Sequence, residues 1–164
     1  DGEIMKRVNL IYSHPLYQKK YTVLQEAEKE RLFCNHTLEH FIDVARLMYI
    51  YSLENGYELP KEIIYATALM HDIGRIDQIQ KQIPHEKAGA LLCDEILPQC
   101  GFDENETAMI KEAIMHHREN DDESDMLLSE ALYWADKKSR KCFECNMRRE
   151  CNWKIDRMNL DIEY

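Results

Sequence analysis

Glycine and proline are scarce. Five glycines and four prolines among 164 residues provide few of the chain reversals that an all-β fold needs, and too little of either residue for a disordered chain. Long apolar runs are missing too. None reaches the roughly 18 residues needed to cross a bilayer, and Asp1 to Tyr12 lacks the long apolar segment of a signal peptide. Positive charge is in deficit, with 21 Lys and Arg against 31 Asp and Glu and a net charge of −10. Nonspecific nucleic-acid binding needs a basic face, so a nucleic-acid polymer is not an expected partner. The expectation is a soluble, cytoplasmic protein without membrane association. A small phosphorylated substrate stays open, because a bound divalent cation can reverse the local field of an acidic protein.

Helix formers and apolar residues are plentiful. The apolar fraction is 45%, enough for a real core in one domain. The pattern predicts an all-α fold, a compact bundle of about six helices with a metal site in its core. Residues 1–140 form the helical domain, and residues 141–164 form a cysteine-rich tail packed on it. Residues 1–16 have no clear pattern, and His14-Pro15 reads as a turn. Residues 17–32 read as a charged helix. The second helix spans about 36–55, with Phe41, Val44, Ala45, Met48 and Tyr51 at three-and-four spacing. Asn35 or Thr37 would cap it, and Asn55-Gly56 would stop it.

The third helix, about 61–73, is apolar nearly all round and so should be central. Gly74 would let the chain turn away after it. Residues 75–83 read as a polar connection. Further helices follow over about 84–97 and 103–117, then an acidic loop over 119–125. The sixth helix carries Leu127 to Asp136. No strand pattern emerges.

Seven histidines punctuate this series, at 14, 36, 40, 71, 85, 116 and 117. His71 and Asp72 stand side by side at the end of the most apolar helix, where burying them without partners would cost about 1–3 kcal/mol each. His40 lies in the second helix, His85 opens the fourth, His116 and His117 close the fifth, and Asp136 lies late in the sixth. A bundle can bring such residues to one point in its core. Imidazole and carboxylate together suit iron or manganese, with zinc, nickel and magnesium as alternatives. With two metals, Asp72 is the natural bridge. One ion would take His40, His71, Asp72 and Asp136, and the other Asp72, His85, His116 and His117. His36 stands one helical turn before His40 and would share its face.

The chain resembles the HD-domain metal-dependent phosphohydrolase superfamily. The residues that carry the resemblance are His40 with Val44-Ala45-Arg46, then Leu69-Met70-His71-Asp72-Ile73-Gly74, then Trp134-Ala135-Asp136-Lys137. The resemblance implies that His40, His71, Asp72 and Asp136 are metal ligands. Pro84-His85-Glu86-Lys87-Ala88-Gly89-Ala90 and Ala113-Ile114-Met115-His116-His117 resemble branches with a two-metal site. Those branches include the HD-GYP cyclic dinucleotide phosphodiesterases and the bacterial symmetrical dinucleoside tetraphosphatases. The chain departs from both, with no Gly-Tyr-Pro after His117 and with Arg75 where a lysine is usual. The acidic residues of the guanosine tetraphosphate hydrolase type are also missing after Asp72.

Such a site implies a hydrolase of phosphoesters or phosphoanhydrides, with a nucleotide as the expected substrate. Two cations would clamp a phosphate and lower the pKa of a water towards about 7. Asp72 and Arg75 are then the candidate catalytic residues. Arg75 would bind phosphate through its fork, since arginine keeps its proton. His36, Arg118, Lys137 and Arg140 are further phosphate-binding candidates. The alternative is a non-catalytic sensor that binds metal or nucleotide on the same fold.

Cys142-x-x-Cys145, followed by Cys151, forms a second cluster. With Cys34 or a histidine such as His36 as fourth ligand it would hold a structural zinc or an iron–sulfur cluster. Free thiols in a reducing cytosol are the competing reading, and Cys93 and Cys100 read as ordinary helix residues.

Overall fold

The computed structural model describes residues 2–116 and 127–164. Within them the protein is all-helical, with eight α-helices and no strand among the described residues. In order they are α1 (Lys6–Ser13), α2 (Pro15–Ala27), α3 (Leu38–Glu54), α4 (Lys61–His71), α5 (Arg75–Lys81), α6 (His85–Ile96), α7 (Glu104–His116) and α8 (Leu127–Lys138). Short 3-10 turns follow at Pro98–Cys100, Cys142–Glu144 and Ile155–Arg157. No helix is long and apolar enough to cross a membrane among the described residues.

Helix α4 is the axis of the bundle. Every residue from Ile63 to His71 except Tyr65 is buried, which is why its sequence is apolar all round. It packs against α1, α3, α6, α7 and α8. Pro60 precedes it with a fixed φ of −60°, and Asp72 ends it. Helix α3 lies beside α4 and buries Phe41, Val44, Ala45 and Met48.

Several features differ from the sequence expectation. The segment 1–16 is helical, because Val8 and Ile11 reach the core and Arg7 ties α1 to its neighbours. The Arg7 guanidinium meets Glu106 at 2.8 Å and Glu62 at 3.3 Å. His14 accepts the Leu16 amide through Nδ1 and so caps α2, with Pro15 in the first turn. Helix α2 stops at Ala27 instead of running to Leu32.

The expected polar connection 75–83 contains α5, a helix with no apolar stripe. Only Ile76 and Asp77 are buried in it. Lys20 of α2 holds it by contacting the Asp77 carboxylate at 2.9 and 3.1 Å. Helix α3 begins at Leu38, with Thr37 accepting the His40 amide at 3.2 Å, so His36 precedes the helix and is not on its face. The acidic loop 119–125 lies outside the described residues.

Gly74 has a different purpose from the one its place after the helix suggests. Its φ of −73° is open to any residue. A β-carbon there would fall 2.5 Å from the Gly89 amide nitrogen and closer still to the His85 carbonyl oxygen. Glycine is required because the α4–α5 turn touches the backbone of α6. Gly74→Ala should therefore cost about 1–3 kcal/mol, the usual penalty of overpacking. A denaturant titration checks this, and an unchanged midpoint would refute the close-contact argument.

Asp77 makes stability depend on acid. Burial raises its carboxyl, but Lys20 and Lys81 outweigh that and hold it below the ordinary 3.8. A depressed folded value stabilises the protein above pH about 4 and ceases to do so as pH falls through it. Asp77→Asn should flatten the acid limb of a stability-versus-pH curve while leaving its shape above pH 6 unchanged.

Candidate metal centre

Three helices deliver four donors to one point. Asp72 ends α4 beside His71, His40 comes from the first turn of α3, and Asp136 from the last turns of α8. The ligand atoms of His40, His71, Asp72 and Asp136 all lie within 4.8 Å of one another. His71 Nε2 is 3.1 Å from Asp72 Oδ2 and 3.6 Å from Asp136 Oδ1. His40 Nε2 is 3.9 Å from Asp72 Oδ2 and 3.5 Å from Asp136 Oδ1. Donors bound at about 2.1 Å to a single ion stand roughly 3.0–3.4 Å apart, close to these separations. His40 Nε2 and Asp72 Oδ2 are buried without a hydrogen-bond partner. A bound cation is one reason for such atoms, and the residues fit one.

The surroundings fix which nitrogen each imidazole presents. His71 Nδ1–H donates to Ala68 O at 2.6 Å. His85 Nδ1–H donates to Gln78 Oε1 at 2.8 Å. His36 Nδ1–H donates to Glu28 Oε2 at 2.6 Å. Ser139 spends its hydroxyl hydrogen on Asp136 O at 2.8 Å, so its oxygen can accept from His40 Nδ1–H at 3.4 Å. In all four rings Nε2 is left to face Asp72, the arrangement that metal-binding histidines need.

The field of the carboxylates is felt throughout. Burial opposes charge on His71, but Asp72 and Asp136 outweigh it and raise the imidazole to about 10. Burial lowers His40 to about 4, which Asp136 only partly offsets. Burial raises Asp72, yet His71 and Arg75 hold it well below the carboxylate range. Asp136 is likewise held low by His40 and His71 against burial. A pocket that keeps two buried carboxylates ionised and draws positive charge onto the adjacent His71 favours a divalent cation.

A model of the HD domain matches residues 37–141. The chain belongs to the HD domain family. It is 38% identical over 160 residues to an uncharacterised protein of Clostridium beijerinckii, a match covering 98% of this chain and all of that one. Its fold is similar to the crystal structure of a predicted HD superfamily hydrolase from an uncultured Thermotogales bacterium. That likeness has a TM-score of 0.59 at 22% identity and covers 87% of this chain and 81% of the other.

The other sequence candidates surround this HD core unevenly. His85 is fully buried, and its Nε2 is 3.6 Å from Asp72 Oδ1. That is the second oxygen of the carboxylate whose Oδ2 faces His40 and His71. Arg75 is half-buried, with Nε on the same Oδ1 at 3.0 Å. His36 Nε2 lies 3.7 Å from Asp72 Oδ2. His116 is exposed at the last residue of α7. His117 and Arg118 lie outside the described residues. Lys137 stacks over the rings of Tyr133 at 5.1 Å and Trp153 at 5.8 Å. Arg140 donates to Asn35 O at 3.1 Å.

Three residues around the site escaped the sequence reading. Glu28 is buried, aligns His36, and lies just past the end of α2. Gln78 binds both the backbone and the ring of His85. Ser139 supports His40. No spacing rule marks any of them, since each acts through a partner on a different element.

The centre opens into a cleft of about 1220 Å³. Its wall includes His36, His40, Arg75, Asp136 and Lys137, and twelve residues of the tail between Lys141 and Met158. Manganese or ferrous ion should raise the melting temperature of the protein as isolated. By linkage, a ligand at about 100 times its Kd adds roughly 2.7 kcal/mol. His71→Ala should show no such rise. Equal shifts in both proteins would mean that the ion binds elsewhere.

Proposed function

We propose that the protein is a metal-dependent phosphohydrolase that cleaves a phosphoester or phosphoanhydride of a nucleotide. The observation that carries this reading is the buried His40, His71, Asp72 and Asp136 cluster at the foot of a cleft with basic walls. The chain has a net charge of −10, yet Arg31, Arg75, Lys137, Arg140, Lys141, Arg148 and Arg157 outnumber the five acidic residues that line that cleft. Cationic side chains concentrated there in an acidic protein favour an anionic substrate.

The four clustered residues would hold the metal. The ion, iron or manganese by its donor set, would act as a Lewis acid on phosphate and make water a better nucleophile. The chain's own groups do the rest. Asp72 divides its two oxygens, Oδ2 towards His40 and His71 and Oδ1 towards His85, as a bridging carboxylate would. Arg75 is placed to swing from Oδ1 onto a phosphoryl oxygen and neutralise charge developing there. Arg140 and Lys137 are near enough to bind more distal phosphates. His36, held by Glu28, keeps an imidazole at the rim of the donor cluster.

A sensor that binds without turnover is the second reading. It is favoured by Arg75 on Asp72 Oδ1, where a second ion would otherwise bind. A phosphoester screen with manganese and with iron separates the two. The wild-type protein should hydrolyse at least one nucleotide, and Asp72→Ala should lose metal and turnover together. Turnover retained by metal-free Asp72→Ala would sink the hydrolase reading. Tight nucleotide binding with no turnover would establish the sensor.

A further inference from the structure

The tail is not a loose appendage. Asn159 Nδ2 donates to the carbonyls of Lys137 and Arg140 at 2.7 and 2.8 Å and so closes the end of α8. Trp134 stacks edge-on with Tyr164 at 4.9 Å. Along this path the chain returns to the cleft, and three cysteines come with it. Cys142 and Cys145 occupy one tight turn, with the Cys145 amide on Cys142 O at 3.2 Å. The Trp153 amide donates to Cys151 Sγ at 3.5 Å. In the segment before α3, Arg31 Nε holds Cys34 O at 3.0 Å, and Arg140 holds the next carbonyl, Asn35 O.

Cys34, Cys142, Cys145 and Cys151 therefore line the same cleft, although 108 positions separate Cys34 from Cys142 in the sequence. None is in a disulfide. Cys93 and Cys100 are buried elsewhere in the core. The HD match begins at residue 37 and ends at 141, so all four cleft cysteines lie outside it. Arg31, Arg148 and Arg157 share the cleft with them.

Zinc and an iron–sulfur cube ask for different sulfur spacings. Zinc at 2.3 Å from four thiolates sets them about 3.8 Å apart. Among the described residues no three thiols gather even as tightly as the His and Asp donors do. In an iron–sulfur cube each thiolate binds a different iron, and the cysteines stand farther apart.

We propose that Cys34, Cys142, Cys145 and Cys151 hold a four-iron, four-sulfur cluster at the mouth of the cleft, joining the tail to the segment before α3. The proposal stands apart from the hydrolase reading, since it uses none of the same ligands. The test is anaerobic isolation of the full chain from iron-replete cells. Roughly four acid-labile sulfides per chain, with broad visible absorption, are expected. Cys145→Ser should lose the sulfide and the colour. So should Cys34→Ser, whose exposed position makes it harmless to the core, with helical circular dichroism unchanged in both. One zinc per chain without sulfide would overturn the cluster. Absence of sulfide, or sulfide unchanged in Cys34→Ser, would overturn it as well.

Discussion

Asp72 is an ionised carboxylate with almost no contact with solvent. An uncompensated charge in such a place costs several kcal/mol, so the surrounding structure must supply positive or hydrogen-bonding groups. It does so from every direction. His71 stands beside it, Arg75 reaches it from the start of α5, and His85 approaches from the start of α6. His40 comes from α3 and His36 from the segment before it. The bundle can be read as the set of helix placements that brings those five side chains to one carboxylate.

That constraint explains details that look unrelated. Gly74 is small because the α4–α5 turn must touch α6, which carries His85. Gln78 lies on a helix without an apolar stripe, yet it aligns the His85 ring. Glu28 is buried although it is acidic, because it holds His36 and is held below its ordinary range by it against the effect of burial. Each supporting group fixes a ring orientation, and fixed donors lose less entropy when a cation or phosphate binds.

The cleft joins this centre to parts of the chain outside the HD match. Arginines from the tail and from the segment before α3 face the same space as Arg75 and Lys137. The cleft wall thus carries a small excess of positive charge in a chain whose net charge is −10. The tail contributes to the cleft wall through Trp153 and the three cysteines, so the substrate space and the thiol group share one boundary.

Much of the core was legible in the sequence because local pattern dictates it. The nearly all-apolar character of residues 63–70 marks α4 as central, the spacing of Phe41, Val44, Ala45 and Met48 marks the buried face of α3, and His71-Asp72 at the end of α4 marks the centre. These follow from helix periodicity and the cost of burying polar groups, which any single segment carries within itself. Helix α5, the true start of α3, the reason for Gly74 and the roles of Glu28, Gln78 and Ser139 were decided only by tertiary structure. Each depends on a partner far along the chain: Lys20 for α5, His36 for Glu28, the α6 backbone for Gly74. Sequence alone determined which residues could bind a cation, because ligand chemistry belongs to the side chain. Which of them share one point, and which nitrogen each presents, was set by packing, because distance and orientation between separate helices exist only once the chain has folded.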